Sequence, residues 1–139
     1  MIFELALGVV LGGILVLYAR WWGPRRESVV LAVGLVITAL LYVGFAIAGS
    51  ASAGWTALEA LGLVPYTLFA WAGLRVSPPW LALGWAAHVG WDVGLHLGGG
   101  APTFVPAFFP VFCIGFDLVV AGYLAGHAYS TRASQREAA

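Results

Sequence analysis

The sequence contains no lysine and few charged residues of any kind. Charged residues make up 9% of its 139 positions, and six acidic residues balance six arginines, so the formal net charge is zero. A nucleic-acid-binding protein needs an excess of basic residues on one face, and this chain has none. The single cysteine, Cys113, excludes an intrachain disulfide. We therefore expect neither a nucleic-acid partner nor a disulfide framework.

Apolar residues are correspondingly abundant in this chain. They make up 62% of the chain, and the mean hydropathy is +0.96. Soluble domains carry roughly 25% charged residues and about half apolar ones. A chain this short has too much surface for its volume to hide so many apolar side chains from water. The composition therefore predicts an all-α, polytopic membrane helix bundle in the cell (inner) membrane, with the lipid bilayer as its partner.

The apolar runs predict about five transmembrane helices. A helix of about 20 mostly apolar residues crosses the ~30 Å of hydrocarbon in a bilayer. Glycine, proline, arginine and small polar residues interrupt the runs. The predicted spans are residues 2–19, 28–48, 55–74, 80–97 and 105–127. They form a single transmembrane domain, residues 1–129, followed by a short cytoplasmic tail, residues 130–139.

The arginines predict the orientation of these spans. With five spans, all of them fall on one side of the membrane; they are Arg20, Arg25, Arg26, Arg75, Arg132 and Arg136. Positive residues accumulate on the cytoplasmic side, so we expect an outside amino terminus and a cytoplasmic carboxyl terminus. Positive charge follows the first apolar run instead of preceding it, which favours an uncleaved span over a signal peptide.

Glycine pairs four residues apart predict close helix contacts. Such pairs let two helix backbones approach each other within a membrane. Three pairs lie in the predicted spans: Gly8 with Gly12, Gly90 with Gly94, and Gly122 with Gly126. We expect these faces to lie at contacts inside the bundle or between the subunits of a homo-oligomer.

The fourth span carries the most unusual ionisable residues. His88, Asp92 and His96 are four residues apart, so they lie on one helical face. Neighbours are about 6 Å apart along the axis, and two histidines at this spacing hold zinc in helical motifs. His88 and His96 are about 12 Å apart and cannot ligate one ion without distortion. Any single-ion site on this helix therefore needs Asp92.

Acidic residues in other spans reach similar depths. Asp117 lies near the level of His88, Glu59 near the level of Asp92, and Glu4 at the outer end of the first span. An acidic residue at a helix centre costs about 2.5–3.5 kcal/mol on insertion scales, so it should face the bundle interior and find a partner. Because the arginines are predicted on the opposite side, the available partners are histidines, hydroxyl groups, water, protons or a metal ion.

Four further side chains are expected to line the ligand site. Trp85 and Trp91 lie inside the fourth span, where they either pack in the core or form an aromatic wall beside a ligand. Cys113 lies one turn outward of Asp117 and is either a soft ligand or a packed thiol. Glu4 is the fourth residue predicted to line the ligand.

One run of residues resembles a known pattern. An uncharacterised family of small bacterial membrane proteins of unknown function has a similar Gly-Trp-x-x-His-x-x-Trp-Asp helix; the matching residues here are Gly84, Trp85, His88, Trp91, Asp92, His96, Cys113 and Asp117. The resemblance covers roughly Glu59 to Tyr123. In the family pattern a second cysteine and a further histidine occur where this chain has Phe116 and Leu95, which argues against a thiol-dependent role. The resemblance implies a membrane protein and no particular activity.

Three functional interpretations stay open. The first is a membrane-embedded metal-dependent hydrolase acting on a lipid-like or small substrate, with zinc bound among His88, Asp92, His96 and Asp117. In this interpretation Asp92 and Glu59 are the catalytic carboxylates, and the one not ligating metal is a general base. The second is a proton- or ion-coupled carrier or channel. The third is a non-catalytic accessory membrane subunit.

Overall fold

The computed structural model describes residues 1–98 and 103–137, and within these ranges it contains helices and no strand. The α-helices are α1 (Ile2–Trp21), α2 (Pro24–Ala48), α3 (Ala53–Arg75), α4 (Pro79–Trp91) and α5 (Phe109–Glu137). A π-helical segment, Asp92–Leu97, continues α4 without a break. The predicted all-α helix bundle is confirmed.

The first helix boundaries follow the interruptions in the sequence. Gly23 separates α1 from α2 and adopts φ +83°, a left-handed conformation that favours glycine. Pro24 then occupies the first turn of α2, where its missing N–H costs nothing. At the start of α3, the Ser52 side chain accepts a hydrogen bond from the Trp55 backbone N–H at 3.4 Å and caps the helix.

The last helix differs from the predicted span at both ends. Residues 103–108 form turns, and α5 begins at Phe109 with Pro110 in its first turn. Proline at position 106 lacks the N–H that a longer helix would need, which accounts for the later start. At the other end α5 continues to Glu137, so most of the predicted polar tail extends the helix backbone. Residues 99–102, 138 and 139 lie outside the described residues.

Four helices are long and apolar enough to cross a membrane: α1, α2, α3 and, in α5, Phe109–Ser130. The predicted fourth span corresponds to α4, with 13 residues, and the π-helical segment, with six. Large apolar side chains on the outer faces are exposed, among them Leu17 and Leu61. Such a surface requires lipid around it, because exposing so much apolar area to water is unfavourable. The orientation across the membrane remains a prediction.

The five α-helices form a closed ring. α1 packs against α5, α5 against α4, α4 against α3, α3 against α2, and α2 against α1. The largest core cluster includes Leu31, Leu35, Tyr66, Trp85 and Val120 from four of these helices. Side chains of α2, α3, α4 and α5 meet inside the ring, where α2 also contacts α4.

One predicted glycine pair lies at a close contact within the ring. Gly8 and Gly12 lie against the α5 backbone at Phe112 and Phe116, and a β-carbon at position 12 would stand 2.7 Å from the Phe116 carbonyl oxygen. The other two pairs have open space where a β-carbon would lie, so they make no comparable contact with the described residues. For those four glycines, the prediction of a contact between subunits remains a prediction.

Candidate functional site

Five ionisable side chains converge inside the ring, and we call them the buried polar cluster. All five are at most 4% exposed; they are Glu59, His88, Asp92, His96 and Asp117. They come from α3, α4, the π-helical segment and α5. Burying ionisable groups in an apolar bundle is unfavourable unless they are paired with each other or with a ligand. The way each is paired therefore decides what the cluster can do.

His88, Asp92 and Asp117 form the inner part of the cluster, which we call the histidine–aspartate trio. The Nδ1 atom of His88 lies 2.7 Å from Oδ2 of Asp117 in a hydrogen bond and 3.6 Å from Oδ2 of Asp92. One ligand atom from each residue lies within 4.8 Å of the other two. Sequence reasoning expected these three side chains to meet at one depth, and the structure brings them together.

Glu59 and His96 form the outer part, which we call the glutamate–histidine pair. Oε1 of Glu59 lies 3.2 Å from Nε2 of His96, but the two atoms lack the alignment of a hydrogen bond. Trp91 donates a hydrogen bond from Nε1 to the other carboxylate oxygen, Oε2, at 3.2 Å. The indole therefore fixes the orientation of the carboxylate while Oε1 remains available.

Tyr42 joins the two parts of the cluster, and sequence reasoning missed it. Its hydroxyl donates a 2.5 Å hydrogen bond to Oδ1 of Asp92, and its ring stacks on His96 with centroids 4.3 Å apart. Tyr66, also missed, places its ring edge-on to His88 at 4.9 Å. The signal in the sequence was a tyrosine in the interior of an otherwise apolar span, where a hydroxyl group needs a partner.

The π-helical segment presents Asp92 and His96 to the same interior space. Both residues are buried, at the start of this segment and near its end. π-helical turns are rare and frequently occur at functional sites, because the widened turn redirects the side chains that follow it. Gly98 ends the segment in an extended conformation. The helix is therefore irregular in the segment that carries two of the five ionisable groups.

Several polar atoms of the cluster have no hydrogen-bond partner among the residues that the structure describes. They are buried, and they are Oε1 of Glu59, Nε2 of His88, Oδ2 of Asp92, both ring nitrogens of His96 and Oδ1 of Asp117. A buried polar group without a partner costs about 1–3 kcal/mol, more if it is charged. Such groups are uncommon in native proteins, and they indicate a bound ion, a bound water molecule or a catalytic role.

No described guanidinium group neutralises these carboxylates. Arg20, Arg25, Arg26 and Arg75 are exposed. Arg20 instead donates a 3.4 Å hydrogen bond to the hydroxyl group of Tyr123, at the arginine-rich end of the bundle. Three carboxylates and two histidines are thus buried close together, so their charge must be offset by protons or by a metal cation.

The predicted lining residues occupy different places. Trp91 contacts the cluster through Glu59, and Cys113 is buried in an apolar group that also contains Tyr42. Trp85 is buried in the main core, where its ring lies 5.8 Å from that of Phe116. Glu4 pairs with the amino group of Met1 at the end of α1, and no described hydrogen bond joins it to the cluster.

Comparison with known proteins places the chain in a family without identifying its activity. The sequence profile of a family of unknown function, DUF6010, matches residues 3–130. No curated protein and no solved structure matches the chain. The match covers all five helices except the end of α5, and the chain belongs to this family. The resemblance to an uncharacterised family is confirmed, and any activity must be inferred from the geometry.

Proposed function

We propose that this member of the DUF6010 family is a membrane-embedded metalloprotein. In this proposal, the histidine–aspartate trio binds a divalent metal ion, and the ion activates water to hydrolyse a lipid-like or small substrate. The observation that carries the proposal is the convergence of three buried ligand atoms within 4.8 Å of one another. Bonds of about 2.0–2.2 Å from one ion to nitrogen and oxygen ligands require a separation of this order.

The charge of the trio supports a divalent ion. With His88 neutral, Asp92 and Asp117 together carry two negative charges in a fully buried site. A divalent cation offsets both, whereas an unpaired charge in such a site is strongly unfavourable. One imidazole and two carboxylates form a ligand set that suits zinc, and three protein ligands leave one position for water, as in catalytic zinc sites.

Glu59 is the carboxylate left over for acid–base chemistry. It lies outside the trio and is oriented by Trp91. A metal ion acidifies its bound water, and a nearby carboxylate can take the proton as the water attacks an ester or amide carbon. Asp92, which was predicted both as a ligand and as a catalytic carboxylate, acts as a ligand in this proposal.

An ion- or proton-coupled carrier is the second candidate function. The observation that favours it is the burial of the cluster: all five ionisable side chains are at most 4% exposed, in a bundle with four helices long and apolar enough to cross a membrane. Such a space admits an ion or a proton more readily than a large substrate. Ionisable residues within membrane spans commonly mark ion and proton paths.

Metal content measured together with thermal stability tests the metal site. The full chain is purified in detergent without chelators, alongside Asp92→Asn and the control Glu27→Gln, which removes a carboxylate at the other end of the bundle. We expect tightly bound zinc in the wild type and in the control, and none in Asp92→Asn, which should remain folded in the membrane. A wild-type protein that contains no metal, and still binds none after zinc is added, contradicts the metalloprotein proposal.

Reconstitution in liposomes then separates the two candidate functions. A carrier moves zinc or protons across the bilayer, and Asp92→Asn stops that flux. A hydrolase shows no such flux, but it releases product from lipid-like ester substrates only when metal is present. Zinc-dependent flux without hydrolysis contradicts the hydrolytic part of the proposal and supports the carrier.

A further inference from the structure

We infer that the glutamate–histidine pair, Glu59 and His96, is a second cation site, separate from the trio and of lower affinity. The ligand class is a divalent transition metal with nitrogen and oxygen ligands, such as zinc. The site has its own ligand atoms, Oε1 of Glu59 and Nε2 of His96, and therefore does not depend on whether the trio binds metal.

The distance between these two atoms suits a shared ion. They are 3.2 Å apart, and both side chains are about nine-tenths buried or more. Ligand bonds of about 2.0–2.2 Å across this gap give an angle of about 100° at the ion, between octahedral and tetrahedral values. A direct hydrogen bond would instead require the ring N–H to point at the oxygen, and the two atoms are not aligned that way.

The surroundings of the pair are those of metal ligands. Trp91 donates a hydrogen bond to the second oxygen of the Glu59 carboxylate, and Tyr42 stacks on the His96 ring at 4.3 Å. Partners that hold ligands in place in this way commonly surround metal sites and strengthen binding.

The pair should bind more weakly than the trio. It supplies two protein ligands and one carboxylate charge, whereas the trio supplies three ligands and two such charges. The remaining positions on the ion must be filled by water or by a ligand from outside the protein. An ion held here also occupies Oε1 of Glu59, so it removes the carboxylate that the proposed hydrolysis uses as a base. Excess zinc would then inhibit turnover through this second site.

Zinc titration of metal-free protein tests the inference. The full chain in detergent is stripped with a chelator, titrated with zinc against a competing chelating dye, and the bound metal is counted by elemental analysis. We expect two zinc ions per wild-type chain, the second bound more weakly. Glu59→Gln should bind only the tighter ion, and Asp117→Asn should lose the tighter ion and keep the weaker one. The control Glu27→Gln should bind two.

A milder variant covers the case in which loss of Glu59 prevents folding. Trp91→Phe keeps both ligands and removes only the hydrogen bond to the carboxylate. This substitution should lower the affinity for the second ion about 10- to 100-fold and leave the affinity for the tighter ion unchanged. A wild type that binds a single zinc ion, or a Glu59→Gln protein that still binds two, overturns the second site while leaving the trio intact. A wild type that binds no zinc overturns both sites.

Discussion

The bundle contains the same polar contact at two places with very different surroundings. In the buried polar cluster, the Tyr42 hydroxyl donates a 2.5 Å hydrogen bond to Asp92. At the arginine-rich end, the Tyr123 hydroxyl donates a hydrogen bond of the same length to Glu27. Arg20 accompanies the second contact, both as a hydrogen-bond donor to Tyr123 and above its ring. Asp92 has no such cation and is fully buried.

The difference shows that the environment decides what a tyrosine–carboxylate contact requires. At the arginine-rich end, Glu27 is partly exposed and Arg20 contacts its tyrosine partner, so solvent can screen the charge and the contact contributes little energy. Inside the ring, Asp92 is fully buried, its second oxygen has no hydrogen-bond partner among the described residues, and Nδ1 of His88 lies 3.6 Å from that oxygen. The charge of the buried contact must therefore be balanced by protons or by a cation, whereas solvent can screen the charge of the exposed contact.

Chemical labelling gives an all-or-none test of which end is cytoplasmic. In a background in which Cys113 is replaced by alanine, we expect Ser52→Cys to react with a membrane-impermeant thiol reagent from outside. Glu27→Cys and Ser134→Cys should react only after the membrane is opened, because the arginines lie on their side. The cysteine-free background controls for non-specific labelling. Reaction of Ser134→Cys from outside alone contradicts the five-span topology.

Removing one carboxylate from the buried polar cluster and one from the arginine-rich end of the bundle should lower the free energy of unfolding by unequal amounts. Asp117→Ala leaves His88 buried without its 2.7 Å partner, and breaking such a buried pair costs about 3–5 kcal/mol if His88 is charged. Glu27→Ala removes a partly exposed carboxylate and should cost less than about 1 kcal/mol. The measurement is denaturant unfolding of the metal-free proteins in detergent micelles. Equal losses in the two variants contradict the comparison.

Removing the two tyrosine hydroxyl groups tests the same comparison more gently. Tyr42→Phe should lower the free energy of unfolding by about 1.5–3 kcal/mol, because its hydrogen bond reaches a buried charged group. Tyr123→Phe should lower it by about 0.5–1.5 kcal/mol. Thermal unfolding of both variants beside the wild type provides the measurement. A larger loss for Tyr123→Phe shows that the arginine-rich end, rather than the cluster, holds the more important contact.

High salt should reduce the stabilising effect of the exposed Tyr123–Glu27 contact and leave that of the buried polar cluster unchanged. Screening shortens the range of electrostatic interactions from about 30 Å at 0.01 M salt to about 3 Å at 1 M, and it acts mainly on groups near solvent. The small destabilisation caused by Glu27→Gln should therefore fade at 1 M NaCl. The destabilisation caused by Asp117→Asn should be unchanged. Thermal unfolding at the two salt concentrations distinguishes the two cases.

Residue type and spacing were enough to predict the fold and most of the cluster. Composition excluded a soluble domain, and the four-residue spacing of His88, Asp92 and His96 placed them on one face. The insertion cost of a carboxylate required Asp117 and Glu59 to turn inward. These inferences depend on residue types, their spacing and simple physical rules, and none requires knowledge of how the helices pack.

The features of the site that could not be predicted from the sequence depend on how the helices pack. Tyr42 joins the cluster because α2 lies beside α3 and also reaches α4 across the ring, which no local pattern reveals. The division into a trio and a pair depends on side-chain directions within the π-helical segment, and single-sequence periodicity cannot predict that segment. Glu4 was assigned to the site by depth alone, but depth does not fix which way a side chain points around a helix.

The contact between α1 and α5 has a consequence for when the site forms. These two helices close the ring, and at Gly8 and Gly115 each allows the backbone of the other to approach closely. Of the five helices, α1 is synthesised first and α5 last. Contacts between segments so far apart in the chain form late in folding. Asp117 lies on α5, so His88 and Asp92 have no Asp117 partner until α5 has been synthesised and has packed. A chain that lacks α5 therefore cannot form the histidine–aspartate trio.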